Sequence, residues 1–401
     1  MHVLLIHQAF AALDDPGGTR HHELARYLAE TGHQVSIIAS PVSYLTGRRQ
    51  KPEKMTVDAS GRVVIHRVYT YAALHKSFLH RVISFLSFML SSFLKSLSIR
   101  NVDLVWGTSP PIFQSFTAWL VARLKGKPFL LEVRDLWPDF AIAVGVLRSP
   151  LLIRLSRWLE SFLYRRAQRL MVNSPGFIQH VRARGAQDVH LIPNGADPAF
   201  FEVNNSQNRQ SLFPSLEGKF IVLYAGAHGM SNDLEIVLQA AEILSIYKEI
   251  HFVLIGDGKE KPALQKMAKE MQLSNLEFRD PLPKMDMPAI IIAADACLAI
   301  LKPIEMYKTT YPNKVFDYMA AAKPVVLAID GVIREVVEEA NCGLFCQPGD
   351  AQSLALSIRT LYQDPVAAMQ MGQNGRDYLA KTFNRATIAQ EFIRLVQEMV
   401  G

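Results

Sequence analysis

Cysteine is scarce in this chain, with three in 401 residues at Cys297, Cys342 and Cys346. An odd number of thiols, two of them in apolar strand-like context, reads as reduced sulfur in a cytoplasmic protein and excludes a disulfide framework. The Cys342/Cys346 spacing fits no common zinc pattern, and small core hydrophobes are the better reading. No Asp-x-Asp occurs anywhere. Enzymes that hold a diphosphate through a divalent metal need paired carboxylates, so neither a metal nor another cofactor is expected. No run reaches the ~20 apolar residues of a spanning helix. The opening Met1-His2-Val3-Leu4-Leu5-Ile6 lacks a basic stretch and a long apolar core, so it reads as a first strand and not as a signal peptide. A basic run interleaved with aromatics is missing too, which argues against nucleic acid despite a net charge of +6. Without short repeats, a solenoid is excluded.

What is present is ordinary globular composition, 49% hydrophobic and 20% charged, on a chain long enough for two cores. Short apolar runs recur at 3–6, 35–39, 63–65, 104–106, 129–133, 170–172 and 189–192. A second set follows at 220–225, 252–255, 276–278, 297–301, 325–329 and 344–345. Continuous apolar strands bounded by turn residues, with helical patterns between them, predict buried parallel sheets. Two successive sets predict two doubly wound α/β domains. The expected division is 1–200, a polar aperiodic linker at 201–218, 219–380, and a final helix at 381–401 with Ile388, Phe392, Leu395 and Met399 on one side.

One segment stands apart. From Phe78 to Leu97, apolar residues follow a helical period, serines lie opposite, and Lys76, Arg81, Lys95 and Arg100 sit near the ends. Such a helix suits a membrane interface or covers a sheet. A second basic, apolar stretch from Leu151 to Leu170 suits the same surface.

In doubly wound sheets, ligands gather beyond the carboxyl ends of the strands, so the residues there are the site candidates. Gly17 and Gly18 precede a helical pattern and let backbone N–H groups approach a phosphate, or they form a plain loop. Arg134 and Asp135 open a cluster that continues Leu136-Trp137-Pro138-Asp139; they suit a phosphate and a sugar hydroxyl, or an ion pair capping the sheet. In the second half, Gly226-Ala227-His228-Gly229 and Gly256-Asp257-Gly258 keep strand ends uncluttered. Lys302, Lys308 and Lys314 flank Thr309, Thr310, Pro312 and Asn313, after which a helix is expected, capped by Thr310 or Asn313. That helix start suits a diphosphate, with Asp317 one turn in for a ribose; the plain alternative is a capped surface helix with solvated lysines.

These motifs, in this order, resemble family 4 glycosyltransferases of the GT-B fold. The markers are Pro16-Gly17-Gly18-Thr19-Arg20, the 134–139 cluster, Ile192-Pro193-Asn194-Gly195-Ala196-Asp197, Gly226-Ala227-His228-Gly229 and 312–320. The look is that of a bacterial branch making surface polysaccharides from acetamido-sugars, L-fucosamine transferase among them. The resemblance implies two Rossmann-like domains facing across a cleft. The first would hold a lipid-linked or polysaccharide acceptor and the second a UDP-sugar, with retention and without metal, and the final helix at 381–401 would cross back to the first domain. It also implies that Gly17 and Gly18 line the donor phosphate, that Asp135 sits at a catalytic position, and that Lys314 and Asp317 hold diphosphate and ribose. His228, Gly229, Gly256, Lys302, Lys308, Thr309, Thr310 and Asn313 complete the donor set. Two departures stand out. The family's glutamate pair is reduced to Asp317, with Thr309 at the first position, and His228 replaces the Arg and Lys of the first loop. The cation on the leaving diphosphate is therefore one of Lys302, Lys308, Lys314 and Arg134. A cytoplasmic enzyme peripheral to the membrane is expected. The rivals are a nucleotide-sugar 2-epimerase, which would release free epimerised donor, and a non-catalytic partner, which would transfer nothing.

Overall fold

A computed structural model describes residues 1–12, 15, 17–42, 55–56, 61–72, 78–203 and 209–401. Pro16 and Lys76, named above, lie outside them. The chain forms two units, one of Met1–Ala12, Gly18–Pro193 and Ala386–Gly401, the other of Leu13–Gly17 and Asn194–Arg385.

In the first unit the strands are β1 (His2–Ile6), β2 (Gln34–Ala39), β3 (Met55–Thr56), β4 (Val63–Arg67), β5 (Leu104–Ser109), β6 (Phe129–Val133), β7 (Arg169–Val172) and β8 (Val189–Leu191). They form one sheet in the order β3-β4-β2-β1-β5-β6-β7-β8, parallel except where β3 meets β4. The antiparallel β3 was not expected; a two-residue edge strand has no period to read. Val3, Leu4, Leu5 and Ile6 are fully buried, as a strand covered on both faces requires. Four helices matter here: α1 (Arg20–Glu30), α2 (Phe78–Ser98), α3 (Ile112–Lys125) and α4 (Pro150–Arg166). Crossovers between parallel strands are right-handed. The steps β4–α2–β5, β5–α3–β6 and β6–α4–β7 run the same way along the sheet, so their helices share a face, with α3 packed against both α2 and α4. The step β1–α1–β2 runs the other way, which sends α1 to the opposite face.

The second unit holds β9 (Phe220–Ala225), β10 (Ile250–Ile255), β11 (Leu276–Arg279), β12 (Ala296–Ile300), β13 (Val325–Ala328) and β14 (Gly343–Phe345). Their order is β11-β10-β9-β12-β13-β14, parallel throughout. Helix α5 (Asn313–Ala320) follows β12. The segment 201–218 falls within this unit's range, and its described part includes a helix at Arg209–Leu212. Arg209 pairs with Asp295 at 2.7 Å and donates to the Lys219 carbonyl, so an ion pair holds this short helix without the apolar face that a periodicity reading looks for.

The last helix, α6 (Arg385–Val400), returns to the first unit from Ala386 onwards. Ile388, Phe392, Leu395 and Met399 are all buried. Phe392 lies 4.8 Å from the Trp106 ring in β5, and Arg169 at the start of β7 donates to the Leu395 carbonyl and pairs with Glu398.

Candidate functional site

A doubly wound sheet opens a crevice where successive connections diverge to opposite sides. In the second sheet that switch lies between β9 and β12. Three loops follow the carboxyl ends there and interlock. Gly226 N–H donates to Ile255 O, His228 N–H to Asp257 O, and Lys302 N–H to Ser231 O. Two glycines make the interlock possible. A Cβ on Gly256 would stand 1.8 Å from Gly226 O, and one on Gly258 would stand 2.4 Å from His228 O. Behind the loops, the Lys261 ammonium donates to Gly256 O, Arg279 O and Asp280 Oδ1 at 2.9 to 3.0 Å.

The residues facing this interlock are short of partners. The Lys314 ammonium is shut off from solvent and has no hydrogen-bond acceptor among the described residues. A Cβ on Gly226 would lie 2.8 Å from it, and it stands over the Tyr224 ring, 3.8 Å to the centroid. A desolvated cation–π contact is worth about 2 kcal/mol, less than the several kcal/mol that burying an ammonium costs. Burial accordingly pulls the Lys314 pKa down to about 7. His228 is fully buried, with both ring nitrogens unpartnered among the described residues. Burial, with Lys261 and Lys314 adding to it, lowers its pKa to about 4, so the ring is neutral and offers one donor and one acceptor. An anion reaching the Lys314 ammonium would supply the acceptor it lacks.

Helix α5 supplies Lys314 from its first turn, and here the cap expectation is corrected. Pro312 occupies the N-cap, with extended φ and ψ, and no side chain caps the helix. Thr310 lies two residues ahead of the cap position and its hydroxyl donates to Tyr307 O at 2.8 Å, while Asn313 is the first helical residue and its Oδ1 is buried without a partner among the described residues. The result is an uncapped N-terminus, whose free N–H groups favour negative charge. The entry to α5 is also pinned by Asn194, whose Nδ2 donates to Tyr311 O at 2.9 Å. Asp317, one turn on, accepts from Lys284 at 2.6 Å, a partner the sequence did not suggest. Lys308 is exposed and pairs with Glu305 at 2.8 Å and Asp330 at 3.9 Å. Lys302 is exposed, and the Thr309 hydroxyl donates to Met306 O. Gly229 lies in the β9 loop, half-buried.

The switch in the first sheet falls between β1 and β5. His7 follows β1, buried, with both ring nitrogens unpartnered among the described residues. Burial, then His21 and Arg134, lower its pKa well below the usual value. Arg134 follows β6 and donates to Thr108 Oγ1 at 2.8 Å and Pro110 O at 2.9 Å; it makes no ion pair with Asp135 at salt-bridge distance. Burial pushes the Asp135 carboxyl up to about 6, against the pull of Arg134. Gly18 leads into α1, and Gly17, exposed with φ of 138°, groups with the second unit.

Beneath this switch lies a network that motif reading missed. Glu132, fully buried in β6, accepts from Arg20 Nε at 2.8 Å and pairs with His21 Nε2 at 2.6 Å. Burial alone would raise its pKa, but His21 and Arg20 hold the carboxyl well below the usual range. Arg20 also donates to Ile192 O and Pro193 O, each at 2.7 Å. It thereby fixes α1 to the end of the first unit. A carboxylate inside the otherwise apolar run Phe129–Val133 was the available signal, since such a group is buried only with partners. Among the described residues no group of three or more His, Cys, Asp or Glu is arranged to hold a metal ion.

Residues 17–195 match the family described as glycosyl transferase 4-like domain, and residues 206–378 match glycosyl transferases group 1. The chain is 24% identical over 393 residues to the putative colanic acid biosynthesis glycosyl transferase WcaI of Escherichia coli (strain K12), covering 92% of this chain and 93% of that one. Among solved structures it resembles sucrose-phosphate synthase from Thermosynechococcus elongatus, with a TM-score of 0.81 at 19% identity over 99% and 98% of the two chains. It also resembles Anabaena HepE in complex with UDP-glucose, with a TM-score of 0.73 at 16% identity over 99% and 100%.

Proposed function

The chain belongs to the GT-B glycosyltransferases that join a glycosyl transferase 4-like domain to a group 1 domain, and on that premise we propose that it uses a UDP-sugar as donor. The donor diphosphate binds in the second unit, against the Gly226 and Gly256 loops, the Lys314 ammonium and the N-terminus of α5. The observation that carries this reading is Lys314, a buried ammonium that lacks an acceptor among the described residues and packs where a side chain on Gly226 would stand. UDP rests on the resemblance and on HepE, solved with UDP-glucose. Asp317 takes the ribose. The first unit takes the acceptor, a lipid-linked or polysaccharide glycan of the cell surface, as the colanic acid role in the name of the Escherichia coli relative suggests. Arg134 and Asp135 act on that side. Loss of the first glutamate at Thr309 points to a deoxy or acetamido donor sugar, as in the fucosamine-transferase branch.

Transfer proceeds with retention and without metal. As the bond from the anomeric carbon to the diphosphate oxygen breaks, charge grows on that oxygen, and groups already in place stabilise it. Lys314 supplies the charge, His228 a neutral N–H, and the α5 N-terminus its free backbone donors. The departing phosphate oxygen takes the proton of the acceptor hydroxyl as that hydroxyl attacks from the same face. Asp135, with its raised pKa, orients the acceptor.

Calorimetric titration with UDP and a set of UDP-, GDP- and dTDP-sugars, with and without a chelator, tests this. Binding of UDP and one UDP-sugar unchanged by the chelator is expected. Binding that vanishes with the chelator would overturn the metal-free clamp, and no binding of any nucleotide sugar would remove the donor site. Product analysis with that donor separates transfer from release of an epimer.

A further inference from the structure

Half of the large apolar side chains exposed among the described residues, ten of twenty, lie on α2, α3 and α4. Leu86, Leu90 and Leu94 are 50%, 64% and 60% exposed, and Leu151, Leu155 and Trp158 are 65%, 52% and 59% exposed. Each set recurs at three or four residues, so each forms one stripe along its helix. The crossover argument puts all three helices on one face of the first sheet. Ring contacts join them, Phe85 to Phe113 at 5.7 Å and Trp119 to Phe162 at 4.8 Å, with Trp158 stacked on Phe162 at 5.6 Å. The face is therefore one rigid surface about 30 Å long, the length of a helix of 21 residues.

Charge decides what it meets. The three helices carry eight Lys or Arg and one carboxylate, Glu160, and that carboxylate is fully buried against His180. A twofold contact between copies would set this cationic surface against itself. No helix among the described residues is long and apolar enough to cross a membrane. We propose that the α2–α3–α4 face docks on an anionic lipid surface. The leucine stripes and Trp158 sink into the boundary of headgroups and acyl chains, while Arg154, Arg165 and Arg166, all exposed, meet lipid phosphates. This surface is separate from the donor site, and its fate does not depend on that reading.

Vesicle co-sedimentation of the full chain tests it, using phosphatidylcholine alone and phosphatidylcholine mixed with phosphatidylglycerol. Binding only to the mixture, weakened by added salt, is expected. Leu90→Glu with Leu94→Glu should weaken it at least about tenfold. Arg154→Gln with Arg165→Gln and Arg166→Gln should do likewise, and carries the test if circular dichroism shows the leucine variant unfolded. Both variants should bind UDP as the parent does. A blue shift of tryptophan emission on the mixed vesicles should shrink in Trp158→Phe. Equal binding to both vesicles, or to neither, overturns the proposal. So does a dimer in sedimentation velocity that dissociates with the leucine changes while no vesicle binds, since a second copy then covers the face.

Discussion

Replacing Lys314 with methionine keeps the apolar stem against Tyr224 and deletes the ammonium, so it separates binding from folding. Truncating one partner of a buried charge pair costs about 2–5 kcal/mol of affinity, and Lys314→Met should weaken UDP by at least about thirtyfold. The ligand-free protein should unfold at a higher temperature, because an unpaired buried cation has gone. The sign with pH follows from the same group. With its pKa lowered from 10.5 to about 7, the free protein has lost much of this proton above pH 7, whereas a bound diphosphate restores it. Above the second phosphate pKa of about 6, UDP affinity should therefore fall as pH rises through 7, at most about tenfold per unit. In Lys314→Met, calorimetry across that range should give a flat profile. Glu132 works the other way. Glu132→Gln leaves Arg20 charged and buried, at a cost of about 3–5 kcal/mol. The depressed carboxyl contributes stability above its unfolded pKa of ~4.3 and loses it as pH falls towards the folded value. Urea midpoints should drop steeply below pH 4 in the parent and barely move in the variant. Lys314 was legible as a candidate because it stands beside a helix start. Its lack of a partner was not, because partners come from loops ninety residues away in sequence. Glu132 gave a signal in β6, yet nothing in the chain said that Arg20 and His21 would meet it.

At the scale of elements, the apolar runs located thirteen of the fourteen strands that the structure defines, because a strand buried on both faces writes its core directly into sequence. β3 escaped, being two residues at an edge. Cap chemistry read poorly for a different reason. Ser, Thr and Asn have several local backbone partners, and Thr310 chose the turn before it instead of the helix after it. Interlocked loops make the sharpest element-scale prediction. Gly256→Ala sets a methyl 1.8 Å from a carbonyl oxygen at a φ of 150°, so the β10 loop must retreat from the β9 loop. The expected result is at least tenfold weaker UDP binding and a loss of about 2 kcal/mol or more in stability. Unchanged titration and melting curves would show that the loops do not hold the nucleotide.

For the whole molecule, α6 is the telling element. Its amphipathic pattern was plain in the sequence, while the unit it covers came only from the family resemblance, because periodicity does not say what a helix packs against. Removing residues 386–401 uncovers Trp106 and strips Arg169 of Glu398, both in the first unit. Hydrogen exchange on the shortened chain should show lost protection in β5 and β7, with β9 to β14 unaffected; loss spread evenly over both units would count against this assignment. The same arrangement governs how the protein is made. The first unit leaves the ribosome early, yet the helix that seals it is synthesised only after the second unit. Between Pro193 and Ala386 the second unit must be translated, which takes about 10–40 s at bacterial-range elongation rates of 5–20 residues per second. Throughout that interval the nascent first unit carries an open apolar seam over β5, and a chaperone that binds it then would do so in the window set by this chain's own topology.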